Sequence, residues 1–490
     1  MSFYYRLPPA LIAATIASVQ PAEFAVAQLS AQQVEESERN ECNPSGEIDF
    51  NEAIRLNPND AEAYNDRGAV RYEQGDREGA IADYNEAIRL DPNHANAYHN
   101  RALLRDELGD KQGALADYNE AIRLDPNDAD AYYNRGIARY DQGDIQGAIT
   151  DYNEAIRLNP KYTYAYFNRA LLRDELGDKQ GALADYNEAI RLAPNAADAY
   201  YNRAFVRSQQ GDIEGALADF NEAIRLNPNE AKAYNYRGFV RAQQGDIQGA
   251  ITDYNEAIRL APNDPEAYSN RGFVRSQQGD KHGAITDYNE AIRLNPSYGK
   301  AYGNRGYFRY DEGDIQGAIA DFNEFIRLDP NDATAYNYRG FIRLQQGDIQ
   351  GAIADYNEAI RLAPKYADAY YNRGDFRYNQ GDIEGAIADY NEALSLNPKY
   401  TYAYFNRALL RDELGDKQGA LADFNEAIRL DPNDADAYYN RALVRNQQRD
   451  IQGAINDFQK ASELYQQQGN TDSYRDAQNA IRELQKELEV

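Results

Sequence analysis

Residue types that serve as nucleophiles, general bases or soft metal ligands are scarce in this chain. It holds three histidines (His94, His99 and His282) and one cysteine, Cys42, among 490 residues. His94 and His99 stand five residues apart across a Pro-Asn turn and a helix start, which misses the i, i+3 and i, i+4 ligand pairings of a helix; turn histidines are expected to be solvated. One cysteine excludes an internal disulfide and every zinc site built on cysteine clusters. There is no Gly-rich phosphate loop, nucleophile elbow or His-Glu zinc motif, and Asp-rich turns such as 125–130 lack the Gly and terminal Glu of an EF-hand. No catalytic residue, metal or cofactor is expected, and the chain reads as a non-enzyme. What recurs instead is an amide. Asn100, Asn134, Asn168, Asn202, Asn270, Asn304, Asn372, Asn406 and Asn440 fall at intervals of 34 residues or twice that. An amide offers donor and acceptor together, which suits the backbone of an extended peptide.

The elements that must position those amides follow from the same period. NEAIRL or a close variant starts at Asn51, recurs every 34 residues to Asn425, and degenerates to QKASEL at Gln459. A fixed period in the range of about 20–50 residues means stacked supersecondary units. Taking Ala61 as position 1, twelve units run from 61 to 468. In residues 129–162 a first helix runs to Gln142-Gly143-Asp144 and a second stops before Asn159-Pro160. Gly takes the left-handed conformation at a helix end, Asp caps the next helix, and Pro cannot continue it. Each unit is therefore two short amphipathic helices that bury their apolar faces only by stacking on neighbours.

At 100° per residue, positions 4, 7, 8 and 11 of the first helix face the second, where positions 20, 23, 27 and 30 turn inward. Arg at 7 and 11 opposite Asp at 23 predicts an ion pair repeated along the spine, with Arg237 and Arg241 on Asp253 as one instance and Asn255 as an inert neighbour. Position 8 is Gly or Ala, position 20 is Ala, position 24 is Tyr or Phe, position 27 is Ala except Phe325, and position 32 is Pro until Gln466. On these positions the chain resembles the tetratricopeptide repeat family over about five-sixths of its length, with Tyr for Trp at position 4. The resemblance implies an all-α fold, an α-solenoid of stacked helix-turn-helix repeats wound as a right-handed superhelix, with a concave groove lined by the first helices that binds partner peptides.

Positions 2, 5, 6, 9, 12 and 13 lie on that groove face. The nine asparagines occupy position 6, in a pattern similar to the asparagine ladder in the repeat domain of the O-linked N-acetylglucosamine transferase. Asn is a poor helix-interior residue, so its recurrence asks for a tertiary or ligand role. Aromatics occupy position 5 (Tyr133, Phe167, Tyr201, Tyr371, Phe405, Tyr439) and position 9 (Phe205, Phe239, Phe273, Tyr307, Phe341), where exposed rings would serve as contacts. Carboxylates at positions 12 and 13 (Asp106, Glu107, Asp174, Glu175, Asp412, Glu413) make the expected groove acidic. The Lys at position 5 and Asn at position 9 with which family members hold a chaperone's C-terminal carboxylate are absent.

The function expected is a protein-protein interaction scaffold that binds an extended peptide or partner protein with basic residues. The alternatives are a substrate-capture subunit for a separate enzyme and a self-assembling array; a monomer or weak self-association is expected. With 80 acidic against 52 basic residues and a net charge of -28, nucleic acid is excluded as a partner. Residues 1–27, with an apolar run from Leu7 to Val19 ahead of Ala25-Val26-Ala27, read as a signal peptide and imply an exported (periplasmic or secreted) protein, cytoplasmic if the leader is retained. That run is too short to span a bilayer, and no membrane insertion is expected. Residues 28–45 read as a polar linker, 46–60 as a partial repeat with the second helix only, and 469–490 as a C-terminal capping helix.

Overall fold

The computed structural model describes residues 50–488. The leader, the linker with Cys42 and the start of the partial repeat, residues 46–49, lie outside them. Among the described residues there are 26 helices and no strand. They form two compact units that divide between Pro262 and Asn263. The first opens with Phe50–Leu56 and continues as six helix pairs, from Ala61–Glu73 with Arg77–Leu90 to Ala231–Gln243 with Ile247–Leu260. The second holds six pairs, from Pro265–Gln277 with Lys281–Leu294 to Ala435–Gln447 with Ile451–Gln467, followed by Thr471–Leu488. Within each unit every helix packs on its chain neighbours, so both units are α-solenoids.

The punctuation is set by three residues per repeat. Gly143 sits at φ 82°, in the left-handed region that a side chain resists, and ends the first helix. Asp144 then accepts the Gly147 N–H on Oδ1 at 2.9 Å and starts the second. An Asp caps the second helix in this way in all twelve repeats. The turn Gly is replaced once, by Arg449 at φ 67°, the one non-Gly residue with positive φ among the described residues.

Packing inside a pair explains the small residues. A methyl group at Gly136 would stand 2.6 Å from the Tyr152 ring, so position 8 stays small because position 24 is a large ring. The alanines at 20 and 27, such as Ala148 and Ala155, are fully buried and let the two helices approach closely. Each buried ring at position 24 contributes roughly 1.5–3 kcal/mol of apolar burial. Phe325 breaks the pattern at position 27, and the same repeat compensates: methyl groups at Gly299 and Gly303 would meet its ring at 2.9 and 2.8 Å.

The final helix lays Ala477, Ile481 and Leu484 against the last repeat, where Ile455, Phe458 and Leu464 receive them. No described helix is long and apolar enough to cross a membrane.

Candidate functional site

The spine ion pairs form as expected, with a partner that helical geometry alone did not show. Arg237 grips Asp253 with Nε (2.9 Å) and Nη2 (2.6 Å), and Arg241 Nη1 reaches the same carboxylate at 2.8 Å. Arg237 Nη1 also donates to Asn221 Oδ1 of the preceding repeat at 2.7 Å. The same Arg-to-Asn bond recurs between other neighbours, for example Arg101 to Asn85 and Arg441 to Asn425, both at 2.7 Å. The Arg237 guanidinium further lies 5.5 Å from the Tyr234 ring centre, which accounts for Tyr at position 4 as a cation–π platform. The first Asn of NEAIRL is thus a link between repeats. That corrects the expectation that this position is inert, and Asn255 itself is engaged.

Most asparagines of position 6 are engaged with the preceding repeat or their own helix. Asn100 donates Nδ2 to Asn65 Oδ1 at 3.0 Å, Asn168 to the Tyr133 hydroxyl at 3.1 Å, Asn304 to Ser269 Oγ at 3.0 Å and Asn372 to Asn337 Oδ1 at 3.0 Å. In each case the acceptor is position 5 of the preceding repeat. Asn134 makes the same contact with His99 Nε2 at 3.1 Å. Where position 5 is Phe167 or Phe405 it offers no acceptor, and Asn202 and Asn440 turn back to carbonyls of their own helices, Asp198 and Asp436, at 2.8 Å. Asn168, Asn270, Asn372 and Asn406 are buried, while Asn100, Asn134, Asn202, Asn304 and Asn440 stay half-exposed.

The aromatic rows are not the exposed contacts expected of them. Tyr133, Tyr201, Phe239, Phe273, Phe341, Tyr371 and Phe405 are buried, and Phe167, Phe205, Tyr307 and Tyr439 are half-buried. The physical reason is packing by neighbouring rings, of the next repeat for Tyr201, edge-on against Tyr236 at 5.7 Å, and Tyr307, against Tyr338 at 6.1 Å, and of its own repeat for Tyr439, against Phe458 at 5.1 Å. The acidity at position 12 is likewise spent locally, since Asp106, Asp174 and Asp412 pair with Lys111, Lys179 and Lys417 at 3.0, 2.6 and 2.6 Å.

Two histidines expected in solvent, His94 and His99, are also built in, whereas His282 is exposed. His94 caps a helix through Nδ1, 3.4 Å from the Ala97 N–H, and stands 3.3 Å from Glu62. His99 bridges Asp128 and Asn134. Burial opposes charge on Asp128, but the His99 contact and two backbone N–H groups hold its carboxyl below the usual range. Among the described residues no group of three or more His, Cys, Asp or Glu could hold a metal ion.

Four tyrosines at position 34 went unnoticed in the sequence. Tyr162 lies 4.8 Å from Tyr133 and donates its hydroxyl to Asp130 Oδ1 at 2.6 Å; Tyr400 lies 4.8 Å from Tyr371, and Tyr366 accepts from Asn337 at 3.3 Å. With Tyr298 they stand where other repeats carry an N-capping Asp, and their helices begin without a side-chain cap. The signal was Tyr, two residues after Asn-Pro or Ala-Pro, where four repeats carry Asp.

Stacked helix pairs with small residues at three fixed contact points and an inter-repeat polar lattice define a helical repeat protein of the interaction type. The chain belongs to the tetratricopeptide repeat family. A model described as TPR repeat matches residues 69–109, 107–143, 175–211, 207–245, 240–279, 306–347 and 413–448, more than half of the chain. Models described as tetratricopeptide repeat match 340–401, 129–162, 265–298 and 435–468. Among solved structures, the chain is similar to Cut9–Hcn1 of the APC/C hetero-tetramer at 16% identity and TM-score 0.46, over 89% of this chain and 92% of that one. It is similar to yeast Tom70 at 18% identity and TM-score 0.44, over 87% and 96%. YrrB, described as a TPR protein with an unusual peptide-binding site, is similar at 25% identity and TM-score 0.35, over 38% and 95%. None of the curated proteins compared with the chain matches it.

Proposed function

We propose that the protein is a non-enzymatic scaffold whose first helices take up an extended segment of a partner protein, the half-exposed asparagines reading its backbone. Family membership supports protein binding. The observation that carries the finer reading is the division of labour within each position-6 amide. Asn100 and Asn134 commit one N–H to the neighbouring repeat, which fixes the amide plane. A half-exposed carbonyl and a second N–H then stand at fixed orientation, which lowers the entropy cost of binding a peptide. The net charge of -28 favours a segment carrying Lys or Arg, through the field of the whole chain more than through the locally paired carboxylates of position 12.

The test is binding of extended peptides containing Lys or Arg and apolar residues to the full chain, by fluorescence anisotropy, with Asn100→Ala and Asn134→Ala combined. Loss of two neutral hydrogen bonds predicts weakening by about 1–3 kcal/mol, and added salt should weaken binding further. Affinity that ignores both the double change and salt would move the site off this face.

A further inference from the structure

Position 9 of the first helix is apolar or aromatic in eleven repeats and Asp375 in the tenth. That carboxylate is 8% exposed and sits where three helices meet: its own (Ala367–Asn379), the second of the same repeat (Ile383–Leu396) and the first of the next (Thr401–Glu413). Tyr390 donates its hydroxyl to Oδ1, Asn406 donates Nδ2 to the same oxygen at 3.0 Å, and the Tyr371 hydroxyl is within hydrogen-bonding reach. Tyr371, Tyr390 and Asn406 are themselves almost wholly buried.

Every group facing Asp375 is neutral or acidic. The guanidiniums nearby are committed elsewhere: Arg373 and Arg377 hold Asp389, Arg407 and Arg411 hold Asp423, and Arg339 and Arg343 hold Asp355. Two turns earlier on its own helix is Asp368, a second carboxyl pushed up by burial, with the Tyr400 ring beside it. From the preceding repeat come Tyr338 and Tyr366, both in the field of Asp368. A buried carboxylate with neutral donors only is strongly disfavoured as an anion. The cluster also contains a buried acceptor with no partner among the described residues, Asn406 Oδ1.

We propose that this cluster is a proton-operated joint between repeats ten and eleven. With the proton on Asp375, the carboxyl is a neutral donor in a junction that has an acceptor to spare, and a turn of the Asn406 amide brings Oδ1 onto the carboxyl proton. When the O–H bond breaks and the proton leaves to solvent, an uncompensated anion remains at the meeting of three helices and the junction loosens. Burial pushes the Asp375 carboxyl up to about 7 against its three hydrogen bonds, which places the change near neutrality. Because the folded value lies above the unfolded one, of about 4, the group's contribution to stability is complete below that lower value and lost as pH rises to about 7.

The test is hydrogen exchange followed by mass spectrometry on the full chain at pH 5.5 and 8.0, with rates corrected for the intrinsic effect of pH. In the wild type, peptides within 367–413 should exchange about tenfold faster at pH 8.0, while peptides from the first unit stay unchanged. Asp375→Asn, which keeps the shape without the charge, and Asp375→Leu, matching Leu409 and Leu443 at the same position, should keep the low-pH protection at both pH values. Equal protection of the wild type at both pH values overturns the proposal, as does a loosening that persists in a folded variant. A carboxyl 13C resonance of Asp375 that titrates near pH 4 overturns it without any substitution.

Discussion

Replacing Asp253 by Ala tests the spine most directly. Asp253 is 1% exposed and accepts three bonds from two guanidiniums: Arg237 Nε and Nη2 at 2.9 and 2.6 Å, and Arg241 Nη1 at 2.8 Å. Removing it leaves two positive charges facing one another, with the exposed Asp246, 3.8 Å from Arg241 Nε, as the one carboxylate still paired with them. Breaking a buried pair from one side costs about 3–5 kcal/mol. The Arg241 side chain is 27% exposed and Arg237 14%, so water screens part of the loss and the lower end, about 3 kcal/mol, is expected. Asp253→Asn keeps the volume and one acceptor and should lose roughly half as much. Urea unfolding followed by circular dichroism gives the total. Hydrogen exchange over Ala231–Gln243 and Ile247–Leu260 locates the loss, which matters because neighbour-coupled arrays depart from two-state behaviour. Asn221→Ala removes the remaining partner of Arg237 Nη1 and should cost about 1 kcal/mol. An Asp253→Ala protein within about 0.5 kcal/mol of wild type, the range of an ordinary surface change, would refute the reasoning.

Two further predictions concern departures from the repeat pattern. Arg449→Gly should stabilise the last repeat by about 1 kcal/mol, because a side chain at φ 67° is strained where eleven other repeats use Gly; a raised melting temperature checks it. Gly303→Ala should destabilise by about 1–3 kcal/mol through a clash with the Phe325 ring, and Phe325→Ala in the same chain should make that alanine tolerable, which a double-mutant cycle of unfolding free energies would reveal.

The helices, their caps and the Arg–Asp spine were legible in the sequence because they depend on contacts inside one 34-residue unit, which a helical wheel represents. The face of positions 5 and 6 was not, because its decisive contacts join position 6 to position 5 of the repeat before, as from Asn168 to Tyr133. A wheel places position 5 on an outer face and says nothing about the next helix that covers it. Whether Asn202 turns inward or back on itself is decided by Phe167, in another repeat. The Tyr162 and Tyr400 rings were missed for a different reason: at position 34 they read as loop residues, yet they fold back onto position 5 of their own repeat, Tyr133 and Tyr371. The Phe325 exception could have been paired with Gly299 and Gly303 on sequence alone, since all three departures share a repeat.

The Arg-to-Asn link between neighbours has a bearing on how such a gene can change length. Its two ends lie 16 residues apart in sequence, as do the ends of the Arg–Asp pair within a repeat. Excising or copying one whole repeat therefore returns an Arg next to an Asn at the same spacing, and the spine closes again across the new joint. Recombination between misaligned copies, of which the recurrence of KYTYAYFNRALLRDELGDKQGALAD at 161 and 399 is a trace, would give chains of different repeat number that still fold. Phe325 would travel intact with its two glycines, whereas a crossover between Asp375 and Asn406 would part the carboxyl from its amide. The spine tolerates editing by whole repeats, and the junction between repeats ten and eleven does not.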